Sequence, residues 1–332
     1  MSVLVTGGAG YIGSHTVLEL IGKGETVTVL DDLSTGFDWI VSEAAELVIG
    51  DVAESSTVKR LIEERGISEI IHFAAKIVVP DSVSDPLGYY LGNTVKTRML
   101  FETARDAGVK RIIFSSTAAV YGEPGIEVIS ESAPKIPINP YGRSKLMSEW
   151  MLEDVAHAHG IAYTVLRYFN VAGADPVGRS GQSSKNATHL IKVACQAAIG
   201  ERLGLEIFGT DYATRDGTCV RDYIHVTDLA RAHVAALDRL RCGGENLTLN
   251  CGYGVGYSVQ EVVDVVKSVS GVDFPVRISP RRAGDPAWLV AGVERIRMEL
   301  DWEPRINDLR AIVRHALDWE SSLARRRAVQ PI

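Results

Sequence analysis

Cysteine is scarce in this 332-residue chain. The four present, Cys195, Cys219, Cys242 and Cys251, form no CxxC pair and have no histidine at metal-ligand spacing. That excludes a disulfide framework or a zinc site as their purpose, and they read as small core residues. Long apolar runs are missing too, so no segment is of a length to span a bilayer. The N-terminus runs straight into Val3-Leu4-Val5-Thr6, without the basic, apolar and small-residue segments of a signal peptide, and a cytoplasmic protein is expected. A basic excess is absent: the net charge is −7, with 35 Lys and Arg against 42 Asp and Glu. The chain therefore lacks the electropositive face that a nucleic acid requires. There is no internal repeat, and the single basic run, Arg325-Arg326-Arg327, reads as a solvated end.

What the chain has is a core. Hydrophobic residues make up 46% and charged residues 23%, the proportions of a compact globular protein. Up to about residue 167, short β-branched runs alternate with helical stretches. The runs are Val3 to Val5, Val27 to Leu30, Leu47 to Ile49, Ile70 to Phe73, Arg111 to Phe114 and Tyr163 to Leu166. Apolar runs without clean alternation suit strands buried on both faces, which predicts an α/β fold with a doubly wound parallel sheet. After Asn170 the rhythm breaks. A Gly- and Ser-rich loop (173–184), a helix near 188–200, irregular segments at 209–217, a segment at 246–250 that rejoins the sheet and a helix at 259–269 follow. The predicted architecture is a Rossmann-type domain over 1–169, with returning segments near 218–257, and a smaller, discontinuous α/β lobe drawn mainly from 170–332.

The first strand ends at Thr6 and leads through Gly7-Gly8-Ala9-Gly10-Tyr11-Ile12-Gly13 into a helical run. Glycines at 7, 10 and 13 permit a tight turn, close approach of backbone to a pyrophosphate, and close packing of helix on strand, with the helix N-terminus facing the negative charge. The next strand ends at Asp31, where a carboxylate accepts hydrogen bonds from a ribose hydroxyl and repels a 2′-phosphate, favouring NAD over NADP. Asp51 and Val52, after the third strand, are candidates to meet the adenine, with a merely solvated Asp51 as the other reading. Phe73-Ala74-Ala75 closes the fourth strand with small side chains that would let backbone approach the cofactor ribose.

A reactive pair follows. Asn139-Pro140-Tyr141-Gly142-Arg143-Ser144-Lys145 opens a helix, and the i, i+4 spacing sets Tyr141 and Lys145 on one face. Tyr becomes a base near neutrality only where positive charge favours its anion, and Lys145 together with the cationic nicotinamide ring is expected to supply that, Lys145 also holding the ribose. The fifth strand ends in Phe114-Ser115-Ser116-Thr117, at the sheet edge where ligands bind in open α/β folds. There Thr117 would hydrogen-bond a substrate oxygen.

These motifs resemble the extended short-chain dehydrogenase/reductases, and among them the UDP-glucose 4-epimerase family. The likeness runs through 5–15, Ser115 to Gly122 and Tyr141 to Lys145. It continues in Leu166-Arg167-Tyr168-Phe169-Asn170 and in Asp216-Gly217-Thr218-Cys219-Val220-Arg221-Asp222-Tyr223-Ile224-His225-Val226. It implies cofactor contacts at Tyr11, Ile12, Asn93, Ser115 and Tyr168. It implies nucleotide-sugar contacts at Asn170, Leu190, Ile207, Phe208, Arg221, Arg282 and Asp285, with the two arginines on the diphosphate, and a sugar-pocket gate at Leu289. It implies a homodimer, no metal, and reversible C4 epimerisation of UDP-glucose and UDP-galactose with tightly bound NAD. The chain departs from the pattern at Ile77, where some members have Lys, and at His189, where some have Asn. A dehydratase would need an acid pair after Thr117, and Ala118-Ala119 stands there. Two alternatives stay open: 4-epimerisation of an N-acetylated or acidic UDP-sugar, and a non-catalytic NAD-binding sensor, though a sensor would be expected to have lost Tyr141 or Lys145.

Overall fold

The computed structural model describes residues 1–184, 188–282 and 285–329. Seven parallel strands form its main sheet: β1 (Ser2–Thr6), β2 (Thr26–Asp31), β3 (Glu46–Ile49), β4 (Glu69–His72), β5 (Arg111–Thr117), β6 (Ala162–Tyr168) and β7 (Leu247–Cys251). The spatial order is β7-β6-β5-β4-β1-β2-β3. The winding direction reverses between β1 and β4, and a crevice opens there at the carboxyl ends of the strands.

Strand periodicity divides the core into two layers. Val3, Val5, Ile71 and Ile113 point into one, Leu4, Ile70 and Ile112 into the other, all fully buried, as alternation across a pleated strand requires. The apolar runs are continuous because helices cover both faces: α1 (Tyr11–Gly22), α2 (Ser55–Arg65), α3 (Lys96–Asp106), α4 (Pro140–His159), and, after α5 (Leu190–Ala198) in the second lobe, α6 (Val226–Arg241), which packs beside α1. β3 is an edge strand and Ile49 is 66% exposed, so the expectation of burial on both faces fails there.

The second lobe is built around the strand Val220–His225. It pairs with Asn170–Ala172 and Trp288–Ala291 in parallel and with Gly256–Ser258 antiparallel. A two-stranded sheet joins Leu205–Phe208 to Val276–Ser279. The helix α7 (Val259–Ser270) starts at a capping box between Ser258 and Glu261. The segment near 246–250 rejoins the main sheet as β7, whereas Val220–His225 lies in the second sheet. Two expectations are corrected. Cys242 is exposed at the end of α6, the other three cysteines being buried. The basic run at 325–327 is helical, within α8 (Leu309–Val329), with the Arg327 guanidinium 3.2 Å from Glu201.

Candidate functional site

The turn between β1 and α1 shows why its glycines differ. A Cβ on Gly13 would lie 2.2 Å from the Gly7 carbonyl oxygen, and one on Gly7, whose φ is +73°, would lie 2.6 Å from the Ala74 nitrogen. Those two are required by the protein's own packing. A Cβ on Gly10 would meet only the Gly7 carbonyl oxygen, at 3.2 Å. The cleared space above Gly10 faces the switch-point crevice, so the cradle fits a dinucleotide pyrophosphate. Tyr11 and Ile12 begin α1, and the Tyr11 hydroxyl donates to the Gly173 carbonyl at 2.6 Å, tying the turn to the second lobe.

Asp31 ends β2 nearly buried, its two carboxylate oxygens accepting the amides of Ala9 and Leu33, each at 2.9 Å. Burial outweighs those amides and raises its pKa. Asp51 pairs with Lys96 and accepts the Ala53 amide. Partial burial opposes its charge, but these partners hold its carboxyl below the usual range. Neither of the readings made for Asp51 included that lysine, which the sequence places 45 residues away. Val52 is buried beside it, and Phe73 packs on the His233 ring with centroids 4.7 Å apart.

Asn93 lies in a π-helical stretch, Tyr90–Val95, a distortion common at functional sites. Its amide accepts from the Lys76 backbone nitrogen at 2.8 Å and donates to the Lys76 carbonyl and to Ser144 on α4. It thereby ties the segment after β4 to the helix carrying Tyr141 and Lys145. That helix starts where Asn139 caps the Gly142 amide at 2.8 Å with Pro140 in the first turn.

Tyr141 and Lys145 are both buried at the end of β5. The Thr117 hydroxyl near the Tyr141 phenol favours its anion, and that hydroxyl accepts the Ala119 amide at 3.1 Å. Lys145 donates to the Ser115 carbonyl at 2.9 Å and sits 4.9 Å from the centre of the Phe114 ring. Burial pushes its ammonium down to about 8, with Glu149 opposing. The expectation that Lys145 depresses the phenol is not met in the protein alone: burial raises Tyr141 well above the ordinary range, Tyr168 and Tyr89 adding to it and Thr117 opposing. Ser115 donates to the Tyr168 hydroxyl at 2.9 Å.

Behind these groups lies a buried network that sequence reasoning missed. Ser116 donates to Glu149 at 2.5 Å, Arg167 forks onto Glu149, and Arg167 also donates to Tyr121, whose hydroxyl donates to Asn250 at 2.7 Å. It fixes α4 against β5, β6 and β7. Arg167 and Tyr121 both fall inside quoted motifs, but no local spacing links either to Glu149.

In the second lobe, Asn170 lines a cavity with Leu190, His189, Gln182 and Trp319, and its buried side-chain nitrogen has no partner among the described residues. The His189 ring nitrogen Nδ1 lies 2.7 Å from the Gln182 amide. Arg221 pairs with Asp285, and register sets it opposite Leu289 on the neighbouring strand. Arg282 stands elsewhere, its guanidinium stacked 3.7 Å over the Phe208 ring. The two arginines are thus each engaged with a different partner rather than turned on one point. Ile207 is buried in the core. Ile77 is half exposed, and its neighbour Lys76 pairs with Asp85 at 3.5 Å.

The fold agrees with that of known proteins. The chain belongs to the NAD-dependent epimerase/dehydratase family, whose model matches residues 3–252. It is 54% identical to a UDP-glucose 4-epimerase of Azospirillum brasilense, over 97% of this chain and 92% of the relative. Among solved structures, it resembles the UDP-glucose 4-epimerase of Brucella ovis in complex with NAD, with a TM-score of 0.93, 44% identity, and 96% and 97% of the two chains covered. It also resembles the UDP-Glc/GlcNAc 4-epimerase of Campylobacter jejuni, with a TM-score of 0.85, 48% identity, and 97% and 99% covered.

Proposed function

We propose that this chain is a cytoplasmic, NAD-dependent 4-epimerase that interconverts UDP-glucose and UDP-galactose through a transient 4-keto sugar. The observation that carries the reading is the Tyr141–Thr117–Lys145 cluster, set at the carboxyl edge of β5 on the same end of the sheet as the glycine turn after β1. Bound NAD supplies the acceptor, and afterwards the donor, of one hydride at C4. Thr117 orients the 4-hydroxyl and Tyr141 takes its proton. The base form of Tyr141 needs more positive charge than Lys145 alone provides, because burial holds the phenol neutral in the protein alone. With NAD bound, that further charge would come from the nicotinamide ring. Proton and hydride both return, so the cycle is redox-neutral. For the ketose to present its other face, binding energy must rest on the nucleotide, which we assign to Asn170, Leu190, Phe208, Arg221, Arg282 and Asp285. In the protein alone Asp285 neutralises Arg221, and a diphosphate would compete for that guanidinium. Incubation with UDP-galactose and no added NAD tests the reading. UDP-glucose as product supports it, and no conversion even with NAD added overturns it.

A second reading, 4-epimerisation of an N-acetylated UDP-sugar as well, is favoured by the medium-sized gate at Leu289 and by the likeness to the dual-named Campylobacter enzyme. We further propose a homodimer. Leu87 and Leu91 are 78% and 55% exposed, and Met147 and Trp150 on the adjoining α4 are 38% and 52% exposed, a contiguous apolar face of the kind that marks an interface. Trp150→Glu should convert the dimer to monomer in sedimentation analysis.

A further inference from the structure

The loop after β2 is gripped from two sides. On one side Phe37 donates its amide to the Ala9 carbonyl at 3.0 Å, and a Cβ on Gly36 would lie 2.8 Å from that same oxygen. The loop therefore lies directly on the glycine turn. On the other side Trp39 stacks on Trp319 of α8, with centroids 6.4 Å apart and planes 19° from parallel, and the Arg326 guanidinium covers the Trp39 ring at 4.4 Å. Trp319 has little room to move: it is 6% exposed, and a Cβ on Gly181 would meet its ring at 2.4 Å.

The same stretch of α8 reaches the second lobe. Trp319 and Glu320 line the cavity that contains Asn170 and Leu190, and Glu320 pairs with Lys192 of α5. One helix thus touches the loop that closes on the cofactor turn and the wall of the cavity that holds Asn170 and Leu190, which the epimerase reading assigns to the nucleotide. None of this belongs to the Tyr–Lys chemistry.

We propose that Trp39 and Trp319 are positioning residues that retain the cofactor. Their stacking latches the loop after Asp31 to α8, so that a filled nucleotide cavity slows cofactor release. The proposal rests on the epimerase reading, in which the cofactor returns to its starting form every cycle and gains nothing by leaving.

Release of NAD tests it directly. Protein loaded with NAD is diluted into an NAD-consuming dehydrogenase, with and without UDP, and free NAD is followed over time. Trp39→Ala should release NAD roughly 5- to 30-fold faster, the scale of one aromatic stack and one cation–π contact. Its kcat at saturating NAD should stay within about two-fold of the parent's. Trp39→Phe should restore most of the retention. UDP should slow release in the parent and have little effect in Trp39→Ala. Arg326→Gln, at an exposed side chain that does not threaten folding, should give a smaller acceleration of roughly 2- to 5-fold. Parental release rates in both Trp39→Ala and Arg326→Gln, or an unchanged UDP effect in Trp39→Ala, would overturn the latch. Parent protein that binds no NAD would overturn the epimerase reading itself and the latch with it.

Discussion

The phenol of Tyr141 is buried next to a hydroxyl, and Lys145, one turn along the same helix, is turned toward the Ser115 carbonyl. A general base in that setting contributes through proton transfer and adds little to substrate binding. Tyr141→Phe should therefore lower turnover by roughly 10²- to 10⁴-fold while leaving UDP affinity, measured by calorimetry, nearly unchanged. An unaltered turnover number would remove Tyr141 from the chemistry. Leu289 poses a question of shape. It is half-buried on the strand beside Arg221. A single steric clash in a sugar pocket is worth about 1–3 kcal/mol, so roughly 10- to 200-fold discrimination against UDP-N-acetylglucosamine is expected. Leu289→Ser should narrow that gap, chiefly by raising kcat/KM for the acetylated sugar. Equal values for both sugars in the parent enzyme would defeat this assignment.

At the scale of elements, the turn between β1 and α1 separates what the fold needs from what a ligand needs. Gly13→Ala drives a methyl into the Gly7 carbonyl, at 2.2 Å, with backbone on both sides, and should destabilise the protein by about 1–3 kcal/mol or more in denaturant titration. Gly10→Ala meets a single atom at 3.2 Å. Its melting temperature without nucleotide should stay within a few degrees of the parent's while bound NAD is lost. Equal damage to folding by both substitutions would contradict this division. This turn, the helix cap at Asn139 and the Tyr141–Lys145 spacing were legible in the sequence because each is decided within a few residues. The Glu149–Arg167–Tyr121–Asn250 network was not, since its members come from α4, β6, the segment after β5, and β7. The Lys96–Asp51 pair was hidden for the same reason. The basic run at 325–327 was misread because an amphipathic helix that buries Leu323 and lays Arg326 over Trp39 looks like a charged tail in composition.

For the whole molecule, alternating strand and helix patterns made the main sheet readable up to β6. In the second lobe the helices near 188–200 and 259–269 were readable from local pattern, but its sheet was not, because short strands such as Val220–His225 pair with segments far off in sequence. Long-range burial also sets the response to acid. His15, His72, His225 and His233 are all buried, and burial pulls their pKa values down to about 4, 3, 3 and 4 respectively. Among the described residues, Nε2 of His15 and of His233 has no hydrogen-bond partner, and His225 faces the His315 ring at 3.0 Å. His72 alone has a hydroxyl at each ring nitrogen, Thr6 at Nδ1 and Thr97 at Nε2, but burial opposes its charge as well. In the unfolded chain each titrates near 6.5. The stability that these neutral rings confer is thus fully present above pH ~6.5 and is lost as pH falls toward 4, because the unfolded state takes up the protons. Asp222 acts in the opposite sense. Burial lifts its carboxyl to about 6, so its contribution favours folding only at low pH and offsets about one of the four histidines between pH 6 and 4. Among these five groups the unfolded chain takes up about three more protons than the folded protein near pH 5, so together they make stability fall as the pH drops. Calorimetric melting temperatures should be nearly level from pH 8 to 7 and fall steeply below 6.5. His233→Asn, which removes one of the four titrations, should flatten that slope. A melting temperature that stays constant from pH 7 to 5 would mean that these histidines take up protons in the folded protein as readily as in the unfolded chain.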